Sequence, residues 1–454
     1  MAPPGSWLLL WTLATSARVT IEEVAPPRTI SHRSVVSLFF AKDPFMPSLD
    51  LPYVRQQFPA FSEPSLQDWA FFENAGGSYA CGPVIERLTR FYRETKVQPY
   101  GPFPASKRAG EEMDEARTRL AGFLNVAVDE VHFGPSSSQN SYVLAQAFRQ
   151  MLMPGDEIVV TNQDHEANSG AWRRLAENGI TVREWQIDPE SGRLDPRALD
   201  GLLSERTRLV AFPHCSNIVA HLNPVAEICA KVHAVGAVTC VDGVSYAPHG
   251  LPDVKALGAD IYLFSLYKTY GPHQGLMVVK RDLAERLPNQ GHFFNAGSVL
   301  KRLTPAGPDH AQIAASAGIA DYLDALYAHH FLEGVDAAER GRRVHDLMRA
   351  HEMELAAPLL DWLRQRNDLR VLGPTDPAER APTVAIHTKN KPAAEVLANL
   401  TQRGIAAGAG HFYGYRVVQA LGLDPEAGVL RVSFVHYTVP EEIEKLMKAL
   451  DAAL

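Results

Sequence analysis

The chain has 454 residues, 46% hydrophobic and 21% charged, with a formal net charge of -8. That composition supplies a large core and suits an α/β domain with a smaller partner. A mildly acidic chain without basic runs argues against nucleic acid and anionic membrane as partners. Its four cysteines, Cys81, Cys215, Cys229 and Cys240, form no C-x-x-C pair. They read as small buried hydrophobes in a reducing, cytoplasmic compartment.

Residues 7–13 (WLLLWTL) look like a short signal h-region, but no Lys or Arg precedes them and they are too short to span a bilayer. Residues 1–45 are read as a disordered extension or an over-long gene start ahead of Met46. Further on, residues 114–124 read as an amphipathic helix and VHF (131–133) as a strand. The hydroxyl-rich GPSSSQNS (134–141) leads into a helix ending near Met151. EIVVT (157–161) is a buried-strand run closed by a polar turn, and residues 168–178 form a helix stopped by Gly179. VREWQI (182–187) is a strand, 195–203 a helix, LVAF (209–212) a strand and 224–235 a helix before Gly236. AVTCVD (237–242), IYLFS (261–265) and GLMVVK (275–280) are further strands.

Short apolar strands alternating with helices predict a mostly parallel sheet covered on both faces, in a large domain over 46–325. Residues 326–454 predict a smaller α+β domain. Long helices (334–360, 391–403) alternate there with RVLG, TVAIHT and LRVSFVHY, and a helix over 440–450 closes the chain.

Polar residues follow several of the strands: Ser136 to Ser138 after VHF, His165 after EIVVT, Asn217 after LVAF, and Asp242 at the end of AVTCVD. Open α/β sheets bind ligands at such carboxyl ends. Lys268 sits on a turn between IYLFS and Gly271. In a partly apolar pocket a lysine loses basicity and becomes a nucleophile toward an aldehyde. An upstream acid, Asp242, suits a pyridine nitrogen that must stay protonated while its ring draws electrons from Cα. The pair therefore points to pyridoxal 5'-phosphate (PLP). His165 can stack on the ring, Asn217 can meet its phenolic oxygen, and a hydroxyl-rich helix start can hold its phosphate. Taken singly, Asp242 reads equally as a turn cap, His165 as a surface residue and the serines as a plain N-cap.

Several segments together resemble the class V aminotransferase family, fold type I of the PLP enzymes, in its cysteine-desulfurase-like branch. They are FFENAGG (71–77), the serine turn, QDHEAN (163–168), HCSNIVAHLNPV (214–225), VDGVSYAPH (241–249), FSLYKTYGPHQG (264–275) and LRVSFVHYTVPEEI (430–443). The resemblance covers residues 46–454. It implies Lys268 as the Schiff-base lysine, Asp242 as the pyridinium partner, His165 on the ring and Asn217 at the phenolic oxygen. Ser137, Ser138 and Ser265 would meet the phosphate. Ser245 and Tyr267 would line the cofactor where the family often has Gln and His. Arg431 would grip the substrate carboxylate, which a guanidinium fork matches.

The implied chemistry begins with a small α-amino acid forming an external aldimine, followed by Cα deprotonation by Lys268, with His165 and Asp242 as the other catalytic groups. Loss of a β- or γ-group then makes a desulfurase-like lyase, the first expectation. Reprotonation on the cofactor makes an aminotransferase, and reprotonation on the other face an epimerase. A non-catalytic PLP-binding protein is the alternative of another class. A homodimer is implied, and no metal is expected. One departure counts against a persulfide relay. Desulfurases that use one carry a cysteine on a mobile loop after the lysine, and this chain has no cysteine after Cys240. The aromatics of GAGHFYGY (408–415) read as substrate contacts or as ordinary packing.

Overall fold

The computed structural model describes residues 47–305 and 307–454, so the expectations for residues 1–45 lie outside the described residues. Its strands are β1 (Ala70–Phe71), β2 (Val131–Gly134), β3 (Glu157–Thr161), β4 (Thr181–Trp185), β5 (Thr207–Pro213), β6 (Val238–Asp242), β7 (Ile261–Ser265) and β8 (Gly275–Val279), followed by β9 (Leu369–Val371), β10 (Thr383–Thr388), β11 (Ile405–Ala406), β12 (Gly408–Gly410) and β13 (Val429–Ser433).

A seven-stranded sheet takes the order β2-β8-β7-β6-β5-β3-β4. Its strands run parallel except β8, which is antiparallel to both neighbours. Every residue of β2, β3, β7 and β8 is buried, so these mainly apolar runs are covered on both faces rather than alternating between core and solvent. The predicted α/β fold with a mostly parallel central sheet is therefore present. Because β2, β3, β5, β6 and β7 all point the same way, their carboxyl ends share one edge of the sheet.

A second, antiparallel sheet has the order β12-β13-β10-β9. The early strand β1 pairs in parallel with β11, Ala70 opposite Ile405 and Phe71 opposite Ala406. Phe72 is buried in the apolar cluster that also holds Val432, Leu446 and Leu450. This pairing brings Glu73 into a bridge with Ser433, beside Arg431.

The helices depart from expectation in instructive ways. The one expected at 114–124 starts at Pro104, whose fixed φ and missing N–H suit a first turn. The one expected over 195–203 is confined to Pro196–Leu199. Asp195 caps its start, but Asp200 and Gly201 do not prolong it. Residues 168–178 divide into Glu166–Arg173 and a 3-10 turn that Gly179 ends at φ 80°. Helices at Gly82–Arg90 and Ala317–His330 had no counterpart in the sequence reading. Among the described residues no helix is long and apolar enough to cross a membrane.

Candidate active site

The carboxyl edge of the large sheet opens into a pocket with about 450 Å³ of empty space. Ser137, Ser138, His165, Asn217, Asp242, Ser245, Ser265, Tyr267 and Lys268 all line it. Nine of the ten predicted site residues thus converge, although they come from separate strand ends. The tenth, Arg431, lies alongside, its Nη1 3.3 Å from the Asn217 carbonyl oxygen.

Lys268 stands on a 3-10 turn, Leu266–Lys268, directly after β7. The turn is tied locally. The Leu266 N–H donates to the Gln274 carbonyl at 2.8 Å and the Gly271 N–H to the Leu266 carbonyl at 2.9 Å. A Cβ at Gly271 would come within 2.6 Å of Ile319 Cδ1 and 3.0 Å of the Leu266 carbonyl oxygen, so the returning chain is closely packed there. Burial, with Arg431 nearby, lowers the Lys268 amine to about 8, while Asp242 and Glu73 pull it back up. Asp242, at the end of the adjacent strand β6, accepts the Val244 N–H at 2.8 Å. Burial raises its carboxyl to about 6 against the Val244 N–H and Lys268, which lower it.

His165 caps the helix Glu166–Arg173, its Nδ1 accepting the Ala167 N–H at 3.1 Å. Burial, Lys268 and Arg431 hold its pKa down at about 3, so the imidazole is neutral. Below it, a buried Asp164 accepts from Thr161 and Asn168 at 3.0 and 3.2 Å. Burial and Asp242 push that carboxyl well above the usual range. The sequence reading passed over Asp164.

At the other end of the pocket the helix Ser137–Met151 begins. Its N-cap is Ser136, whose Oγ accepts the Gln139 N–H at 3.2 Å. The plain-cap reading therefore holds for Ser136 and leaves Ser137 and Ser138 facing the pocket. Ser137 Oγ lies 2.9 Å from Ser265 Oγ. Gly275 of β8 lets the helix start come close, since a Cβ there would come within 2.6 Å of the Ser137 nitrogen. Unsatisfied first-turn N–H groups with hydroxyls beside them are suited to an anion.

Around Arg431 the partners come from distant parts of the chain. Nη2 donates to Glu73 Oε1 at 2.8 Å. The Phe412 ring lies 3.7 Å from Cζ, so that aromatic of the 408–415 segment packs on the arginine. The Phe412 carbonyl also accepts from Asn217 Nδ2 at 2.8 Å, while Asn217 Oδ1 is buried without a partner. Neither Glu73 nor Phe412 was singled out from sequence.

All four cysteines are unpaired and buried. Cys215 lines the pocket, but burial pushes its thiol up to about 12, and its Sγ lies 3.3 Å from the Ala220 carbonyl oxygen. A thiol in that state is a poor nucleophile.

The aminotransferase class-V family profile matches residues 70–446. The chain belongs to that family. It is 36% identical over 421 residues to the aminotransferase-like protein FGM3 of Gibberella zeae, covering 90% of this chain and 99% of the relative. It is 31% identical over 424 residues to a cysteine desulfurase of Pectobacterium carotovorum, covering 89% and 98%. Among solved structures, the cysteine desulfurase CsdA of Escherichia coli is similar with a TM-score of 0.75 at 24% identity, covering 90% of this chain and 99% of that one; this likeness bears on the fold. Class V enzymes of this kind use PLP.

Proposed function

We propose that this class V enzyme binds PLP in the pocket at the sheet edge and acts on an α-amino acid as a desulfurase-like lyase without a downstream persulfide cysteine. The observation that carries this reading is the pairing of a buried amine and a buried carboxyl, Lys268 and Asp242, on adjacent strand ends of one pocket. The donor set fits the cofactor from end to end. It includes an amine of lowered basicity, a helix start with the hydroxyls of Ser137 and Ser138, and, as an acceptor for a phenolic O–H, the unpartnered buried amide oxygen of Asn217.

When bound, PLP supplies an aldehyde that links to amines and a ring that takes up charge from Cα. Lys268 Nζ is the anchoring nucleophile and later takes the Cα proton of the amino acid. Asp242 holds the proton of the ring nitrogen. Neutral His165 offers a flat face without adding charge. Ser137, Ser138 and Ser265 hold the phosphate with the helix N–H groups, Ser245 and Tyr267 flank the cofactor, and Arg431 orients the substrate carboxylate. Elimination is favoured by the desulfurase relatives; aminotransfer is the second reading, favoured by the aminotransferase-like name of the 36% relative. A two-fold homodimer and a cytoplasmic location, which the four unpaired thiols suit, complete the proposal.

The test is spectroscopic first. Wild-type protein with PLP is expected to show a visible band that borohydride bleaches as it fixes the cofactor to the protein, absent in Lys268→Ala; no band in the wild type sinks the reading. Single amino acids are then supplied, and sulfide, pyruvate, ammonia and keto-acid products are assayed. A keto acid formed only with an amino acceptor would replace the lyase with the aminotransferase.

A further inference from the structure

Arg431 is already occupied. Its side chain is buried and holds Glu73 through a single oxygen, Oε1, on Nη2 at 2.8 Å. Nη1 is turned to the Asn217 carbonyl, and Phe412 covers one face. The remaining nitrogen, Nε, is buried with no hydrogen-bond partner, as is Glu73 Oε2. The pair is therefore one-pronged, in a setting where a guanidinium and a carboxylate normally make two parallel bonds.

The seat of Glu73 is shaped for it. A Cβ at Gly76 would come within 2.7 Å of Oε1, and one at Gly408 within 2.8 Å of Oε2 and 2.7 Å of the Phe412 ring. Neither glycine has a positive φ, so backbone conformation does not demand glycine at either position. A side chain at either would instead push the carboxylate or the ring out of its present place.

We propose that Glu73 is a built-in carboxylate that occupies the substrate's place on Arg431 and must yield it, so that it sets affinity and selectivity for the amino-acid carboxylate. The proposal rests on reading Arg431 as the substrate grip. An unpaired buried guanidinium is costly, so Glu73 stabilises the unliganded protein. An incoming carboxylate that engages Nε together with Nη2 makes two bonds where Glu73 makes one. A ligand presenting a neutral amide has no charge with which to displace Glu73. The site thereby rejects weak mimics at the cost of substrate affinity.

The probe is propionate, a carboxylate without an amine, titrated calorimetrically into the PLP-loaded full-length protein. Steady-state kinetics on the best amino acid from the product screen run beside it. Glu73→Gln is expected to bind propionate about tenfold more tightly and to lower KM by a similar factor at nearly unchanged kcat, the fold-change of one charge-assisted hydrogen bond. Glu73→Asp, whose shortened carboxylate reaches Nη2 less well, is expected to fall between the two and serves if Glu73→Gln does not fold. Arg431→Gln is expected to lose propionate binding. If Arg431→Gln binds propionate like the wild type, the grip reading itself fails. If Arg431→Gln loses binding while the Glu73 variants bind no more tightly than the wild type, Arg431 grips carboxylates, Glu73 merely holds it in position, and the proposal is overturned.

Discussion

The turn that carries Lys268 and the cluster around Arg431 are built in opposite ways. The turn is tied largely by its own neighbourhood: β7 is wholly buried and Gln274 and Leu266 tie the backbone, with Ser78, 190 positions away, adding its Oγ to the Lys268 carbonyl at 2.7 Å. The Arg431 cluster draws on residues 358 and 214 positions away, Glu73 and Asn217. It leaves Arg431 Nε, Glu73 Oε2 and Asn217 Oδ1 buried without partners. Positive φ occurs in both regions, at Phe412 and Tyr413 (49° and 57°) and at Tyr270 just after Lys268 (65°), a conformation costing about 1 kcal/mol or more per non-glycine residue. The difference assigns the two halves different work. On the proposed reading, the sheet edge would fix what every reaction of the site shares, and the loop-built half would decide which amino acid is admitted.

The largest expected effect tests the sheet-edge half. Lys268→Ala is expected to lower kcat at least about a thousandfold, since the proposed anchor and base would both be lost; retention of activity would move the chemistry elsewhere. Asp242→Asn is expected to cost about a hundredfold in kcat with KM little changed, read by the same assay. The pH dependence follows from the amine. Lys268 is charged below about 8 and neutral above it. Capture of PLP by cofactor-free protein is therefore expected to slow about tenfold per pH unit below 8 and to level off above. Asp242 raises the Lys268 pKa, so in Asp242→Asn the break is expected to move to lower pH; stopped-flow absorbance checks both. The smallest effect sharpens the contrast. Gly275→Ala pushes on the start of the helix at Ser137 and is expected to weaken PLP binding roughly tenfold in an equilibrium titration. It is expected to leave propionate affinity in the loaded enzyme unchanged.

The same contrast explains what could be read from the sequence. The strand at 261–265, the turn after it and Asp242 were legible because each is local: a run of apolar residues, a polar residue at its end, then glycine. The serine turn was legible as chemistry but not in detail, because which serine caps and which faces the pocket depends on the approach of Gly275. The helix that begins at Pro104 was cut short because residues 104–113 are largely polar or small and their burial comes from packing. Glu73 and Phe412 were invisible as partners of Arg431. They meet it through the pairing of β1 with β11 and of β12 with β13, and no local spacing encodes that.

The β1–β11 ribbon also carries a consequence for the order in which the protein is completed. A nascent chain emerges from its beginning, and the large sheet has all its strands once residue 279 is out. Ala70 and Phe71 must wait for Ile405 and Ala406, and Glu73 waits for β13. Closing so long a loop is slow compared with pairing neighbouring strands. The carboxyl edge of the large sheet can therefore form early in synthesis, while the partners of Arg431 are assembled last.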